Sequence, residues 1–438
     1  MDRADDVDHE RRLIEQVLAA PDDDAPRMVY ADWLTLRGDP RGEFIQLQCR
    51  LAAEPDDANR RAMRVAENKL LAAHEAAWLR PLLEQLPSQH LFERYKLEHV
   101  RGFVERAKLT LACVPDLDAL FALAPALREL ELTQGAVEPT HKRARPSVAG
   151  VFGRHFERLV ALELDLPGGG NAIAREVAAA AALRNLERLA IRASTWGELA
   201  QFYDAQPTQL VLGDHGAAAL AASPHLRGVR RLGLASNRLT LAGVRAIANG
   251  AWRLEALELD FNPLESEGLA DALAGPALEN LRELSLRGTW IPPTEAARLA
   301  SSTTLANLIE LDVENCALGA GGMAAFCDAF ALPALRRLRV ERNSLGDAGT
   351  LAIAGCPAFA QLRELEAGHN RIGQKGGTAI AESPYLANLE RLTLNEPRWK
   401  PEMTTVFAGS PTLAKARIYL KGKLVARAKP KPKKPNTR

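Results

Sequence analysis

From Leu254 to Asn395 apolar and polar positions follow a phrase that stays in register with itself, L-x-x-L-x-L-x-x-N. It reads Leu254, Leu257, Leu259, Asn262, then Leu281, Leu284, Leu286, Thr289, then Leu308, Leu311, Val313, Cys316. It continues through Leu335, Leu338, Val340, Asn343 and Leu362, Leu365, Ala367, Asn370 to Leu389, Leu392, Leu394. The first leucine of each copy falls 27 residues after the one before it, five times running. The L-x-L centre has period two, which predicts a short strand with both leucines on one face. The Asn slot suits an amide that satisfies backbone groups where each strand turns away. A glycine-bearing turn follows, as at 343–349, and then a helical run such as 350–354. One strand and one helix cannot bury their apolar faces alone, whereas stacked copies can.

Self-similarity at this period resembles the leucine-rich repeat, whose units run roughly 20–29 residues. The expected fold class is therefore α/β: a leucine-rich repeat solenoid with a horseshoe course, a parallel inner β-sheet and outer helices, behind a small all-α N-terminal domain. Less regular copies precede the array at Val104 (Ala107, Leu109), Leu127 (Leu130, Leu132), Leu159 (Leu162, Leu164) and Leu186 (Leu189, Ile191). A short copy is expected at Leu210 and Leu212, a fuller one at Val229 (Leu232, Leu234, Asn237), and a terminal one at Leu413 (Ala416, Ile418). The insertion 134–147, with its basic run His141–Arg145, is expected to be a solvated loop.

The N-terminal segment carries helical spacing instead. Leu13, Ile14, Val17 and Leu18 mark one helix; Met28, Val29, Tyr30, Trp33 and Leu34 mark a second, with Asp24 expected as its N-cap. A third follows Arg37-Gly38-Asp39-Pro40, and a longer one is expected over Asp56–Arg80, broken by Pro81 and Pro87. The string Asp22-Asp23-Asp24-Ala25-Pro26-Arg27-Met28-Val29-Tyr30-Ala31-Asp32-Trp33-Leu34, followed by Arg37 to Gln48, resembles the bacterial repeat-companion domain. That resemblance implies a helical head placed before a repeat array, and no chemistry. The repeats themselves resemble the ribonuclease-inhibitor class. The expected organisation is a helical repeat-companion domain over 1–55, a helical linker and cap over 56–100, the solenoid over 101–425 and a disordered basic tail over 426–438.

Composition narrows the classes. Apolar residues make up 47% and charged residues 25% of the 438, ordinary for a globular chain. With no run of 18 apolar residues, no membrane span is expected. The acidic start Met1–Asp6 carries no apolar stretch, so no secretory signal is expected. Five scattered cysteines without C-x-x-C pairs favour reduced thiols and a cytoplasmic location. The net charge of +1 hides an asymmetry: ten Lys/Arg and no Asp/Glu follow Met403, which leaves −9 (that is, 1 − 10) on residues 1–402.

No H-E-x-x-H, G-x-S-x-G or G-x-x-x-x-G-K-S/T phrase occurs. Gly373–Gly377 imitates a phosphate loop but sits at the same repeat offset as Gly346–Gly349 and Gly319–Gly322, which marks a strand-to-helix corner. Gly168–Gly170 reads as a similar corner. Asp22–Asp24 reads as helix caps rather than a cation site. Cys327 and Cys356 fall in helical halves of repeats and read as small core residues. No catalytic, cofactor-binding or metal-binding residue is expected, and no enzymatic activity or small-molecule substrate.

What remains is the face of each strand turned away from its leucines. Its slots hold Glu258, Asp260 and Phe261, then Glu283 and Arg287, then Glu310, Asp312 and Glu314. They continue with Arg337, Arg339 and Arg342, then Glu364, Glu366 and His369. These residues would form an acidic field beside an arginine cluster on the concave surface, where solenoids usually bind. The expected function is a non-enzymatic interaction scaffold or regulator holding another protein there. The bland alternative is that the charges pair along the ladder, as Asp312 beside Arg339, and keep an open sheet soluble. A second function class is nucleic-acid or anionic-surface association through the basic tail. The acidic body and the lack of aromatics interleaved in the tail, apart from Tyr419, disfavour it.

Overall fold

The computed structural model describes residues 3–53, 59–84, 95–110, 117–133, 148, 150–166, 170–192, 212–264 and 267–425. The insertion 134–147, Gly168, Gly169, Cys113, Leu210 and the basic tail 426–438 lie outside the described residues. The chain divides into two compact units, one of residues 1–144 and 148–166, the other of residues 145–147 and 167–438.

The first unit opens with four helices, α1 (Arg3–Ala19), α2 (Asp24–Leu36), α3 (Pro40–Ala53) and α4 (Arg60–Leu83). A hairpin of β1 (Tyr95–Val100) and β2 (Phe103–Thr110) follows, pairing antiparallel. Strands β3 (Glu129–Thr133) and β4 (Ala161–Asp165) then add in parallel, with Leu109, Leu132 and Leu164 in one row. The apolar positions of α1 and α2 meet in a core of Leu13, Val17, Tyr30, Ala31 and Leu34, closed by Ile45, Cys49 and Phe103.

Three local expectations change here. The N-cap of α2 is Asp23, whose carboxylate accepts from the Ala25 amide, whereas Asp24 is the first helical residue and pairs with Arg101 at 3.2 Å. Helix α4 runs through Pro81 to Leu83. A proline there costs one backbone hydrogen bond in a turn that is already ending. Residues 95–100, expected within the helical cap, form a strand instead, because the hairpin offers them a partner in β2.

Polar groups join the helices to that hairpin. Arg27 of α2 is fully buried and donates to Glu105 of β2 at 2.7 Å and to the Pro21 carbonyl at 2.8 Å. Gln48 of α3 donates to Glu67 of α4 at 2.9 Å and accepts from the Gly102 amide at 2.7 Å. Gly102 sits at φ +89° with its α-carbon against Ile45, where a Cβ would overlap the isoleucine side chain. The turn therefore demands glycine twice over, for its dihedral and for its closeness to α3.

The second unit carries the regular array. Its strands are β5 (Arg188–Arg192), β6 (Arg231–Gly233), β7 (Ala256–Glu258), β8 (Glu283–Ser285), β9 (Glu310–Asp312), β10 (Arg337–Arg339), β11 (Glu364–Glu366), β12 (Arg391–Leu394) and β13 (Arg417–Leu420). All pair in parallel and in order, and β14 (Lys423–Leu424) folds back antiparallel on β13. One buried row runs Leu189, Leu232, Leu257, Leu284, Leu311, Leu338, Leu365, Leu392, Ile418, and from Leu257 to Leu392 it keeps the 27-residue step. Helices such as Leu241–Ala248, Gly319–Asp328 and Gly346–Gly355 alternate with the strands. This is a leucine-rich repeat solenoid.

Of the short copy expected at Leu210 and Leu212 only Leu212 is among the described residues, and β5 pairs directly with β6. Leu212 is buried, and its carbonyl accepts from Arg238 in the turn after β6, next to a single bridge between Gly213 and Arg238. Among the described residues no helix is long and apolar enough to cross a membrane.

Two side-chain devices stitch neighbouring repeats. In the Asn slot, Asn343 donates to the carbonyls of Val313 (2.7 Å) and Glu341 (3.0 Å), while its oxygen accepts from the amides of Cys316 (2.8 Å) and Leu318 (3.2 Å). Asn370 repeats the arrangement toward Val340, Ala367 and the Asn343 amide, and Asn262 toward Leu234 and Leu259. Only an amide can donate and accept this way. Cys316 keeps the donor half alone, with its sulfur 3.1 Å from the Leu286 carbonyl, and the buried hydroxyl of Thr289 has no hydrogen-bond partner. The residue before each slot is left-handed: Ser236, Phe261, Asn315, Arg342 and His369 lie at φ +55° to +58°, with Gly288 in the same place.

The second device answers the phosphate-loop imitation. The amides of Gly373 and Gly376 both donate to the carboxylate of Asp347, at 2.8 Å each. Asp214 does the same for Thr240 (2.8 Å) and Gly243 (3.0 Å), and Asn171 for Gly213 (3.1 Å) and Gly216 (2.7 Å). The start of one helix thus supplies the polar cap for the start of the next, filling the place an anion would take.

Candidate functional site

Strand pleating puts the residues between the leucines on the sheet face opposite the helices. In β7 to β11 these are Glu258, Glu283, Glu310, Asp312, Arg337, Arg339, Glu364 and Glu366; Asp260, Arg287 and Glu314 follow at the strand ends. Parallel pairing in register then fixes who meets whom. Glu310 takes Arg337 at 2.6 Å and Arg339 at 3.0 Å. Arg339 also reaches Asp312 (3.6 Å) and Glu366 (3.5 Å), and Glu366 meets Arg391 at 3.9 Å. Glu314 is held between Arg287 (2.7 Å) and Arg342 (3.1 Å). Glu364 lies in register between Arg337 and Arg391.

Two pairs jump over a strand. Arg192 at the end of β5 reaches Glu258 of β7 at 3.0 Å, and Arg231 of β6 reaches Glu283 of β8. The intervening strands carry Gly233 and Ala256 in those rows, and Glu258 leans over Gly233 so closely that a Cβ there would lie 3.3 Å from its carboxylate. Small residues between the charged ones are therefore part of the arrangement. Neither Arg192 nor Arg231 was among the expected site residues, and the small residues beside them were the available signal.

Exposure divides the expected residues into three sets. Asp260 and Asp312 are buried, at 6% and 5% relative exposure. Most of the others, including Phe261, Arg287, Glu310, Glu314 and Arg339, are half-buried and occupied by their neighbours. Arg342 and His369, in the left-handed slots, are exposed, as are Asn315 and Arg391 beside them. Trp290, which follows the Thr289 slot, is 61% exposed. The Phe261 ring covers Gly288 of the next repeat, where a Cβ would come within 2.6 Å of it. The face thus offers a partly self-neutralised lattice whose exposed groups, Arg342 and Arg391 among them, are also held in ion pairs. Among the described residues no group of three or more His, Cys, Asp or Glu is arranged to hold a metal ion.

Burial also perturbs the acids. Desolvation raises the carboxyls of Asp312 and of Glu341, the latter helped by Glu366 and Glu314 nearby. Asp260 is pushed up to about 6 by burial, opposed by hydrogen bonds from Ser285 and the Arg287 amide, with Glu258 and Asp312 adding to the rise. An acid whose native pKa lies above its unfolded value stabilises the fold at low pH, and that stability is lost as pH rises through the native pKa. A change from 3.8 to about 6 is worth about 3 kcal/mol. In Asp260→Asn, the amide oxygen can still accept from Ser285 and Arg287. Urea unfolding at about pH 4.5 and about pH 7.5 should show the variant gaining on the wild type as pH rises. Parallel pH profiles for the two proteins would contradict this.

The buried leucine row, the asparagine ladder and the charged strand face define a leucine-rich repeat fold. Residues 304–327, which contain β9 and its flanking turns, match a family model described as Leucine Rich repeat. Among solved structures the chain is similar to the Rad7 and Elc1 complex in yeast, with 17% identity over 69% of this chain and 73% of that one and a TM-score of 0.43. It is also similar to an internalin (inlF) from Listeria monocytogenes, with 13% identity over 72% of this chain and 86% of that one and a TM-score of 0.35. No curated protein matches the sequence.

Proposed function

We propose that the protein is a non-enzymatic interaction scaffold or regulator that holds another protein on the concave strand face of its second unit. The observation that carries this is the in-register charged lattice of β7 to β12, ending in the exposed side chains of Arg342, His369 and Arg391. Side chains already pinned by ion pairs lose little freedom when a partner arrives, so a fixed charge pattern favours affinity and selects partners by complementarity. Arginine and exposed aromatic groups such as Trp290 are the kinds that dominate binding energy. The resemblance of the N-terminal helices to a repeat-companion domain supports a bacterial source, and the scattered cysteines without C-x-x-C pairs support a cytoplasmic location.

Site-specific photo-crosslinking tests the surface. A photoreactive residue at position 342 should capture a protein partner in cells, and one at Lys375, exposed on a helix, should not. The pair Arg339→Glu and Arg391→Glu should abolish that capture while circular dichroism stays unchanged. Equal capture from both positions, or capture indifferent to the two charge reversals, would remove this face from the function.

A further inference from the structure

Two thiols in the helical layer belong to no feature described so far. Cys327 stands in the last turn of the helix Gly319–Asp328, and Cys356 caps the end of the next repeat's helix, Gly346–Gly355. They are 29 residues apart, two more than the repeat step, which brings Cys356 back toward the end of the preceding helix. The sulfur of Cys356 lies 3.9 Å from the carbonyl oxygen of Cys327. Phe330 and Phe359, three residues beyond each cysteine, pack edge to face at 5.2 Å and hold the same two segments together. Cys327 is half-exposed and Cys356 is buried, so a small oxidant has a route in from the Cys327 side.

We propose that Cys327 and Cys356 form a redox modification site that a hydroperoxide oxidises to a disulfide joining adjacent repeats. The Cys356 thiolate attacks one peroxide oxygen, the O–O bond breaks, and the departing oxygen takes a proton and leaves as water. The resulting sulfenic acid on Cys356 is attacked by the Cys327 sulfur, the S–S bond forms, and the sulfenic oxygen leaves as a second water. Two thiols are oxidised and one hydrogen peroxide is reduced to two waters.

The environment suits this division of labour. Cys356 is drawn down to about 7, first by the thiol hydrogen bond from Cys327, with the amides of Phe359 and Ala358 assisting. The same thiol hydrogen bond, together with burial, pushes Cys327 up and keeps it protonated as the donor. The thiolate is the reactive form, so Cys356 attacks and Cys327 resolves. Cys49 is buried and pushed up to about 11, and Cys316 is buried and pushed higher still. Both serve as internal controls that should not react.

The test is peptide mapping of the native protein. Hydrogen peroxide treatment, blocking with iodoacetamide and digestion without reductant should yield a Cys327–Cys356 cross-linked peptide, with Cys49 and Cys316 still carrying free thiols. Cys327→Ser should halt the chemistry at a Cys356 sulfenic acid, trapped by dimedone. Cys356→Ser should leave Cys327 unoxidised. The wild-type map needs no variant to fold, and a map showing Cys327 and Cys356 both alkylated after peroxide overturns the site. Cys356 driven to sulfinic acid beside a free Cys327 overturns it equally.

Discussion

Replacing Arg27 by methionine should destabilise the first unit by about 3–5 kcal/mol, among the largest effects of any single substitution in this protein. Arg27 and Glu105 are almost entirely desolvated, with side-chain exposures of 1% and 8%. Removing the guanidinium strands the Glu105 carboxylate, whose pKa burial already raises, while the Pro21 carbonyl keeps its bond from Arg101 at 2.9 Å. The large term is the uncompensated charge rather than the lost attraction. Hydrogen exchange should therefore show protection falling across 95–110 and the helices packed on it. The double change Arg27→Met with Glu105→Leu should recover most of the loss, since a well-packed apolar pair can equal a buried ion pair. A double variant as unstable as the single one would show that the stranded charge is not the cause.

Replacing Asn343 by alanine should cost the second unit about 3–5 kcal/mol, because several buried backbone groups lose their partner together. The carbonyl of Val313 and the amides of Cys316 and Leu318 would be left unsatisfied inside a dry ladder, while the Glu341 carbonyl keeps the Asn315 amide. In a repeat array such damage spreads to nearest neighbours first. Hydrogen exchange should thus rise around 313–343 while the array near Leu232 keeps its protection. Asn343→Ser, which retains one donor and acceptor, should be intermediate. A uniform loss along the unit, or one below about 1 kcal/mol, would contradict the ladder's local role.

The contrast between these residues shows what a single sequence discloses. Asn343 is legible because it recurs: the slot returns every 27 residues, so its surroundings are copies of one environment. Arg27 is not legible in that way. Its partner lies 78 residues away in an unrelated strand, and no spacing relates them. Of the three aspartates at the start of α2, Asp24 was the expected cap. Asp23 takes that place, while the cations Arg101 and Arg128 hold Asp24 and Asp22.

The charged strand face divides similarly. Its rows of charged residues follow from strand period and repeat length, and so does the placing of Arg339 beside Glu310, Asp312 and Glu366. The burial of Asp260 and Asp312 does not follow, because it depends on how far neighbouring side chains lean across them. The strand-skipping pairs at Glu258 and Glu283 depend on Gly233 and Ala256 leaving room. The meeting of Cys327 and Cys356 breaks the repeat step by two residues, so periodicity pointed away from it.

By itself, then, the sequence determined the repeat, the buried leucine row, the asparagine slot and the identity of the outward positions. All of these are periodic, and a period sums the same weak local preference many times over. Only the tertiary structure decided which charges are buried, which pairs cross a strand, how the helical head is fastened to its hairpin, and which thiols meet. Those outcomes turn on single contacts between residues far apart in the chain, whose energies depend on local burial and on the volume of a neighbour.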